Sequence, residues 1–233
     1  RQEIFQNSNI EEFYSYLDLA ESNQAFKTFN EKPGSIIDKL NYFISITLEK
    51  SLETPPAQIK DTYKEILRRN YSRIITTNWD LLLEQEGPDG TIDFSSEHVL
   101  NLHGALNWIV CNNCNRARTF DKKILSEYYE SYYSKNHVKD QRFICTDCNK
   151  SMKPGIIPPT FYKNNFHKIL SSSWENAKYS ISNAKKLTFV GFSLPSTDLH
   201  LKLFLKNIFD YKPELEITII NPDPNVLKNF EEI

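Results

Sequence analysis

Glycine is scarce in this chain, six residues in 233, and the first of them is Gly34. Glycine turns are therefore excluded from the whole N-terminal stretch. Methionine occurs once, at Met152, and the chain opens on Arg1, so a natural start and some N-terminal sequence are expected to lie outside it. There is no basic excess either. Twenty-eight Lys and Arg stand against 30 Asp and Glu, a formal net charge of −2, whereas a nucleic-acid binder needs a cationic surplus to displace counterions from phosphates. Direct nucleic-acid binding is not expected. Long apolar runs are also missing: Leu187 to Val190 and Ile217 to Ile220 are far too short to cross a bilayer. With no signal-peptide pattern at the start, no membrane association and a cytoplasmic location are expected.

What is present is ordinary globular composition, 39% hydrophobic and 25% charged, enough to bury a core in one α/β domain with a small appendage. Apolar residues at helical spacing predict helices over Ile10 to Glu21, Pro33 to Lys50 and Ala57 to Arg69. In the second, Ile36, Ile37, Leu40, Phe43, Ile44 and Leu48 form the apolar stripe. A β-branched run from Arg73 to Thr77 reads as a strand, followed by Asp80 and a helical segment from Leu81 to Gln85. Gly87 to Gly90 is a turn cluster, and Val99 to Leu102 and Leu106 to Val110 are further strands. A helix over Lys122 to Tyr133 falls between the cysteines. Beyond them the order is helix (169–184), strand (186–191), helix (196–209), strand (215–220) and a helix from Pro224. Strands alternating with helices imply a parallel sheet with helices on both faces.

All four cysteines fall in two identical pairs, Cys111-x-x-Cys114 and Cys145-x-x-Cys148. That spacing lets two thiolates on a tight turn grip one tetrahedral ion. Two local disulfides or a redox pair are the alternatives, but a C-x-x-C ring is tight and the expected compartment is reducing. The expectation is one closed structural zinc site, with His137 inside the enlarged insert a surface residue. A full ligand shell leaves no position to activate water, so catalysis must come from elsewhere. The domain division that follows is residues 1–110 and 149–233 as one α/β domain, with 111–148 as the zinc module.

Open α/β sheets bind ligands at the carboxyl ends of their strands. Four such ends carry polar residues: Thr76-Thr77-Asn78-Trp79-Asp80, His103-Gly104, Gly191-Phe192-Ser193 and Asn221. Singly, each has a structural alternative. Asp80 can cap the following helix and Trp79 can be a core aromatic. Phe192 to Thr197 can be a strand-to-helix turn capped at Ser196 or Thr197, with Asp198 a first-turn charge. His98, His167 and His200 have no motif behind them and read as structural.

In this order, and with the cysteine pairs between them, these segments resemble the sirtuin superfamily over nearly everything from Arg73 to Asp223. The resemblance implies a Rossmann-like NAD-binding domain and assigns roles. Thr76 to Asp80 is similar to the Thr-Gln-Asn-x-Asp segment, with Thr77 at the glutamine position. Leu102-His103-Gly104 is similar to the segment with the catalytic histidine, Gly191-Phe192-Ser193 to the Gly-Thr-Ser turn near the phosphates and ribose, and Asn221 to the asparagine on the adenosine ribose. Asn78 and His103 are thus the expected catalytic residues. Thr76, Thr77, Asn78, Asp80, Gly191, Ser193 and Asn221 are expected to bind NAD, the cosubstrate.

The wider phrasing Thr-Asn-Trp-Asp-Leu-Leu-Leu-Glu, Leu-His-Gly-Ala-Leu-Asn-Trp and Gly-Phe-Ser-Leu-Pro-Ser-Thr-Asp looks more like the bacterial sirtuin-like defence proteins, which hydrolyse NAD. Two departures stand out. The Gly-Ala-Gly-x-Ser phosphate loop of the superfamily precedes the first helices, where this chain has no glycine, and is expected to lie outside it. Where a deacylase has Phe-Gly-Glu in its acyl-peptide groove, residues 155–161 read Gly-Ile-Ile-Pro-Pro-Thr-Phe. The first expectation is an NAD hydrolase of antiphage defence that releases nicotinamide and ADP-ribose. A protein deacylase, whose partner is an acylated protein, is the second, and a non-catalytic NAD or ADP-ribose binding module the third. A homo-oligomer or a partner domain stays open.

Overall fold

The computed structural model describes residues 10–23, 33–53, 57–69, 71–83, 99–120, 124–133, 140–157, 170–195, 198–231 and 233. Three helices come first: α1 (Ile10–Ser22), α2 (Pro33–Glu53) and α3 (Ala57–Arg68). α1 forms over the predicted span and buries Tyr14, Leu17 and Ala20 on one stripe, while Ile10 and Leu19 of the predicted apolar pattern are exposed. α2 departs from its predicted stripe. Phe43 is 64% exposed, while Asn41 and Ser45 are buried one turn apart. The Ser45 hydroxyl donates to the Asn41 carbonyl at 2.7 Å, so this polar side chain enters the interior with its donor satisfied. Among the described residues no helix is long and apolar enough to cross a membrane.

Contacts divide the chain into two compact units, one containing α1 and residues 174–233, the other residues 34–157. In the second, β1 (Ile74–Thr76) and β2 (Val99–Asn101) pair in parallel, Thr76 opposite Asn101. β3 (Gly104–Cys111) is the centre of an antiparallel sheet, flanked by β4 (Arg116–Thr119) and, after helix α4 (Leu125–Tyr133), by β5 (Lys153–Ile156). β3 contains the strand predicted over Leu106 to Val110, whereas β4, β5 and the short 3-10 turn at Gln141–Phe143 were not predicted.

The predicted helix from Leu81 is corrected over the residues described: Leu81 to Leu83 form a bend and turn. The Asp80 carboxylate accepts the Leu82 N–H at 3.0 Å, which closes an Asx turn in place of a helix cap. Leu81 is 2% exposed, so the leucine run is consumed in the core. The turn cluster at 87–90 and His98, His137 and His167 lie outside the described residues.

Gly104 is required where β2 passes into β3. Its φ is +75°, and a Cβ there would stand 1.8 Å from the Gly155 carbonyl oxygen. A backbone atom cannot yield as a side chain can, so Gly104→Ala is expected to cost more than ~4 kcal/mol. That corresponds to a fall in Tm of at least ~8 °C for a chain of this size. A thermal melt within ~2 °C of wild type would show that this crossing is looser than described.

The other unit takes up α5 (Ser171–Asn183) from Trp174 onward, with Trp174, Ala177 and Ile181 buried. β6 (Lys186–Val190) pairs in parallel with β7 (Glu216–Ile220), and α6 (Leu199–Tyr211) lies between them in sequence. Helix α6 is capped by Asp198, whose side chain accepts the Leu201 N–H at 3.2 Å, so the cap is one residue beyond the predicted Ser196 or Thr197, themselves outside the described residues. His200 packs edge-on against Trp174, 4.4 Å between ring centres, the structural place expected of it. The short helix α7 (Val226–Glu231) follows β7. The chain is thus α/β as expected, with parallel strands that pair as β1–β2 and β6–β7 and a cysteine-bounded insert.

Candidate functional site

The cysteines come together as their spacing predicts. The four Sγ atoms lie within 4.8 Å of one another, with Cys111 and Cys148 3.5 Å apart. A tetrahedral zinc with Zn–S bonds of about 2.3 Å needs sulfurs about 3.8 Å apart, so the cluster fits that ion with little adjustment. All four are free thiols. Each pair has the same local design: the residue after the second cysteine, Asn115 or Asn149, sits in the left-handed region at φ +52° and +54°. Asparagine tolerates that conformation, and in each pair backbone N–H groups point at the first sulfur. The N–H groups of Asp147 and Cys148 pull Cys145 down to about 7. Burial pushes Cys111 up, opposed by the N–H groups of Cys114 and Asn113. Cys114 is pushed up to about 12, first by its hydrogen bond with Cys148. Four thiols this close ionise together only around a cation, so the donor set itself calls for a metal.

The same unit carries Thr76, Thr77, Asn78, Asp80 and His103. β1 and β2 are neighbours, and their backbones stay joined beyond the ladder: Leu102 N–H donates to the Thr76 carbonyl at 2.9 Å and Leu106 N–H to the Trp79 carbonyl at 3.0 Å. The segments bearing Asn78 and His103 therefore leave the sheet side by side. The Thr76 hydroxyl accepts the Asn78 N–H at 3.1 Å, which starts the turn. Asn78 is exposed and Thr77 half-buried, whereas His103 is only 8% exposed and its carbonyl accepts the Ile157 N–H at 2.8 Å. Trp79 packs against the core, as its aromatic reading predicts.

Burial raises the Asp80 carboxyl above the usual carboxylate range, opposed by the Leu82 N–H, its own N–H and the Asn78 amide. A carboxylate held half-desolvated beside an amide suits a ligand that brings its own donors. Because the folded pKa lies above the unfolded one, ionising Asp80 costs stability: the penalty is absent below the unfolded pKa and complete once pH has risen past the folded one. Asp80→Asn is therefore expected to raise Tm near neutral pH by about 2 °C, with the gain shrinking toward pH 4. Melts of the two proteins from pH 4 to 8 check this, and a variant less stable than wild type at pH 7 contradicts it.

Sequence reasoning missed one member of this cluster. Tyr63 of α3 reads only as part of an apolar stripe, yet its phenol hydrogen-bonds the Asn78 side chain, and burial followed by the Asp80 charge raises its pKa. Its one signal was being the sole residue with a polar tip in the apolar stripe Ile59, Tyr63, Ile66 and Leu67.

Gly191, Ser193 and Asn221 fall on the other unit, at the ends of β6 and β7. Gly191 has φ +66°, with open space where a Cβ would be, so the conformation and not crowding asks for glycine. The next left-handed residue is Leu194, at φ +49° and fully buried, an uncommon combination that marks a constrained turn. Asn221 ties the two strand ends together: its amide donates to the Phe192 carbonyl at 3.2 Å and its oxygen accepts the Asp223 N–H at 2.9 Å. One amide hydrogen and one lone pair remain for a ligand. Ser193 is exposed, and its carbonyl accepts from Asn229 at 2.8 Å, a support that sequence reasoning did not single out.

Among curated proteins, none matches this sequence. Similar solved structures include a Sir2 bound to the inhibitor EX-527, 2′-O-acetyl-ADP-ribose and a deacetylated p53 peptide (19% identity, 76% of this chain and 70% of that one, TM-score 0.41). Another is Sir2Af2 bound to a myristoylated histone peptide (21% identity, 79% and 68%, TM-score 0.42). A third, from work on the structural basis of sirtuin substrate affinity, covers 100% of this chain and 85% of its own at 17% identity, with a TM-score of 0.45. The sequence profile described as the Sir2 family matches residues 7–196. On that match, which spans well over half of its length, the chain belongs to the Sir2 family of NAD-dependent enzymes.

Proposed function

We propose that this chain cleaves NAD by hydrolysis, releasing nicotinamide and ADP-ribose, and that it works in antiphage defence in the bacterial cytoplasm. The observation that supports the reaction most is the adjacency of the Asn78–Asp80 turn and the His103 segment, stitched together beyond the strand ends. Breaking the bond between nicotinamide and ribose passes through a ribosyl cation, so the site must orient the nicotinamide and guide the attacking oxygen. In this reading Asp80 accepts a hydrogen bond from the nicotinamide carboxamide, and the Asn78 amide, braced by Tyr63, positions a water or the ribose hydroxyl. Water attacks the anomeric carbon. The glycosidic electron pair leaves with nicotinamide, which becomes neutral, and the water's proton passes to His103. Gly191, Ser193 and Asn221 would serve the phosphates and ribose. Hydrolysis is preferred to acyl transfer on the wording of residues 76–84 and 102–108 and on the absence of Phe-Gly-Glu at 155–161.

The test is product analysis with the full-length protein. ADP-ribose and nicotinamide should form from NAD with no acylated peptide present. Turnover only when an acyl-lysine peptide is added, with acyl-ADP-ribose as product, would make the chain a deacylase. Affinity for NAD without nicotinamide release would make it a binding module.

A further inference from the structure

Tyr129 lies in α4, inside the insert between the two cysteine pairs, and is 1% exposed. Its hydroxyl donates to the Leu106 carbonyl at 3.0 Å. Leu106 is itself fully buried in β3, and its N–H donates at 3.0 Å to the carbonyl of Trp79. That carbonyl belongs to the peptide bond leading into Asp80. β3 can spend both polar groups of Leu106 in this way because its pairing with β5 breaks register between Gly104 and Ile109, and its pairing with β4 begins only at Trp108.

The surroundings reinforce the link. Tyr129, Leu106 and Leu81 belong to one apolar cluster, with Trp79 and Leu82 packed against it, so the turn carrying Asp80 and the insert share a core. From α2, the Ser45 hydroxyl and Glu49 lie beside the phenol. Burial keeps the phenol protonated, and therefore a donor, throughout the neutral range.

We propose that Tyr129 is a positioning residue for the NAD site: through the Leu106 peptide its hydroxyl fixes the Trp79–Asp80 peptide, and with it the directions of the Asn78 and Asp80 side chains. The catalytic half of this statement rests on the hydrolase reading, whereas the structural half does not. A buried carbonyl that loses its side-chain donor relaxes toward another partner, and the turn two hydrogen bonds away relaxes with it. The insert then serves as the rigid back wall of the turn, in addition to being a metal-bound lobe.

The experiment compares Tyr129→Phe with Tyr128→Phe in the full chain. Tyr128 is equally buried and its hydroxyl meets the Met152 carbonyl at 3.5 Å, so its loss controls for removing a phenol from this core. Peptide-resolved hydrogen exchange should show amides of residues 76–83 and 104–108 exchanging about tenfold faster in Tyr129→Phe. The same peptides should be unchanged in Tyr128→Phe, and Ser45→Ala should give a smaller rise in them. In NAD turnover, kcat should fall about tenfold with KM within about twofold, the mark of misplaced reacting groups and not of lost binding. Exchange in 76–83 that matches wild type in Tyr129→Phe, or rises equally in Tyr128→Phe, overturns the proposal. A wild-type protein with no nicotinamide release sinks the hydrolase reading instead, and the exchange result still decides whether Tyr129 holds the turn.

Discussion

Stripping the metal from the four-cysteine site is expected to unfold the unit that carries Asn78 and His103, and not merely to loosen the insert. Cys111 and Cys145 are 2% exposed and sit in the same apolar cluster as Leu81, Leu106, Ile109, Tyr129 and Met152. Releasing the sulfurs therefore opens the core on which the Asp80 turn rests. Structural zinc contributes about 10–16 kcal/mol in small finger domains, and a whole domain is stable by only about 5–15 kcal/mol. The loss is thus of the order of the total. A strong chelator at neutral pH, or Cys145→Ser, should abolish the cooperative melt, and metal analysis of the native protein should find one zinc per chain. Acid should act in the same direction, because protons compete with the metal for thiolates. A Cys145→Ser protein that melts within ~3 °C of wild type would show that the metal is dispensable to the fold.

Asn78→Ala is expected to reduce nicotinamide release by about 10²–10⁴-fold while leaving the fold in place. The side chain is exposed, so truncation opens no cavity, and what is lost is the amide shared between Tyr63 and Asp80. His103→Ala should lower turnover by a similar factor but also cost stability, because the ring is nearly buried where β2 passes into β3. The pair separates chemistry from folding: kcat falls in both, and Tm falls only in the second. Stopped-time assays of nicotinamide beside thermal melts give both readings. If Asn78→Ala keeps turnover within about threefold of wild type, the assignment of the turn is wrong.

Why so much could be read beforehand, and why some could not, is visible in particular residues. The runs at 74–76, 99–101, 186–190 and 216–220 are β-branched or apolar, short and followed by turn residues, and each became a parallel strand. The cysteine spacing carried its geometry with it. β4 and β5 escaped because their local sequences argue against them. Arg-Ala-Arg-Thr in β4 is mostly exposed, and Lys-Pro-Gly-Ile in β5 contains the two residues least suited to a ladder. They are strands because β3, eight residues with only Trp108 less than fully buried, offers both edges for pairing. At Leu81 the local pattern favoured a helix, and tertiary burial of that one leucine, with the Asx turn at Asp80, prevailed. Tyr63 and Tyr129 were hidden for a common reason. A tyrosine in an amphipathic helix counts as apolar in any periodicity, and only the folded structure shows where its hydroxyl ends.

The most direct test of the account is a single assay: the full-length protein and NAD, no acylated peptide, with nicotinamide and ADP-ribose quantified over time for wild type and Asn78→Ala. Equimolar nicotinamide and ADP-ribose from the wild type, and at least a hundredfold less from the variant, is the predicted result. No release from the wild type without an acylated substrate, or equal release from both proteins, would contradict it.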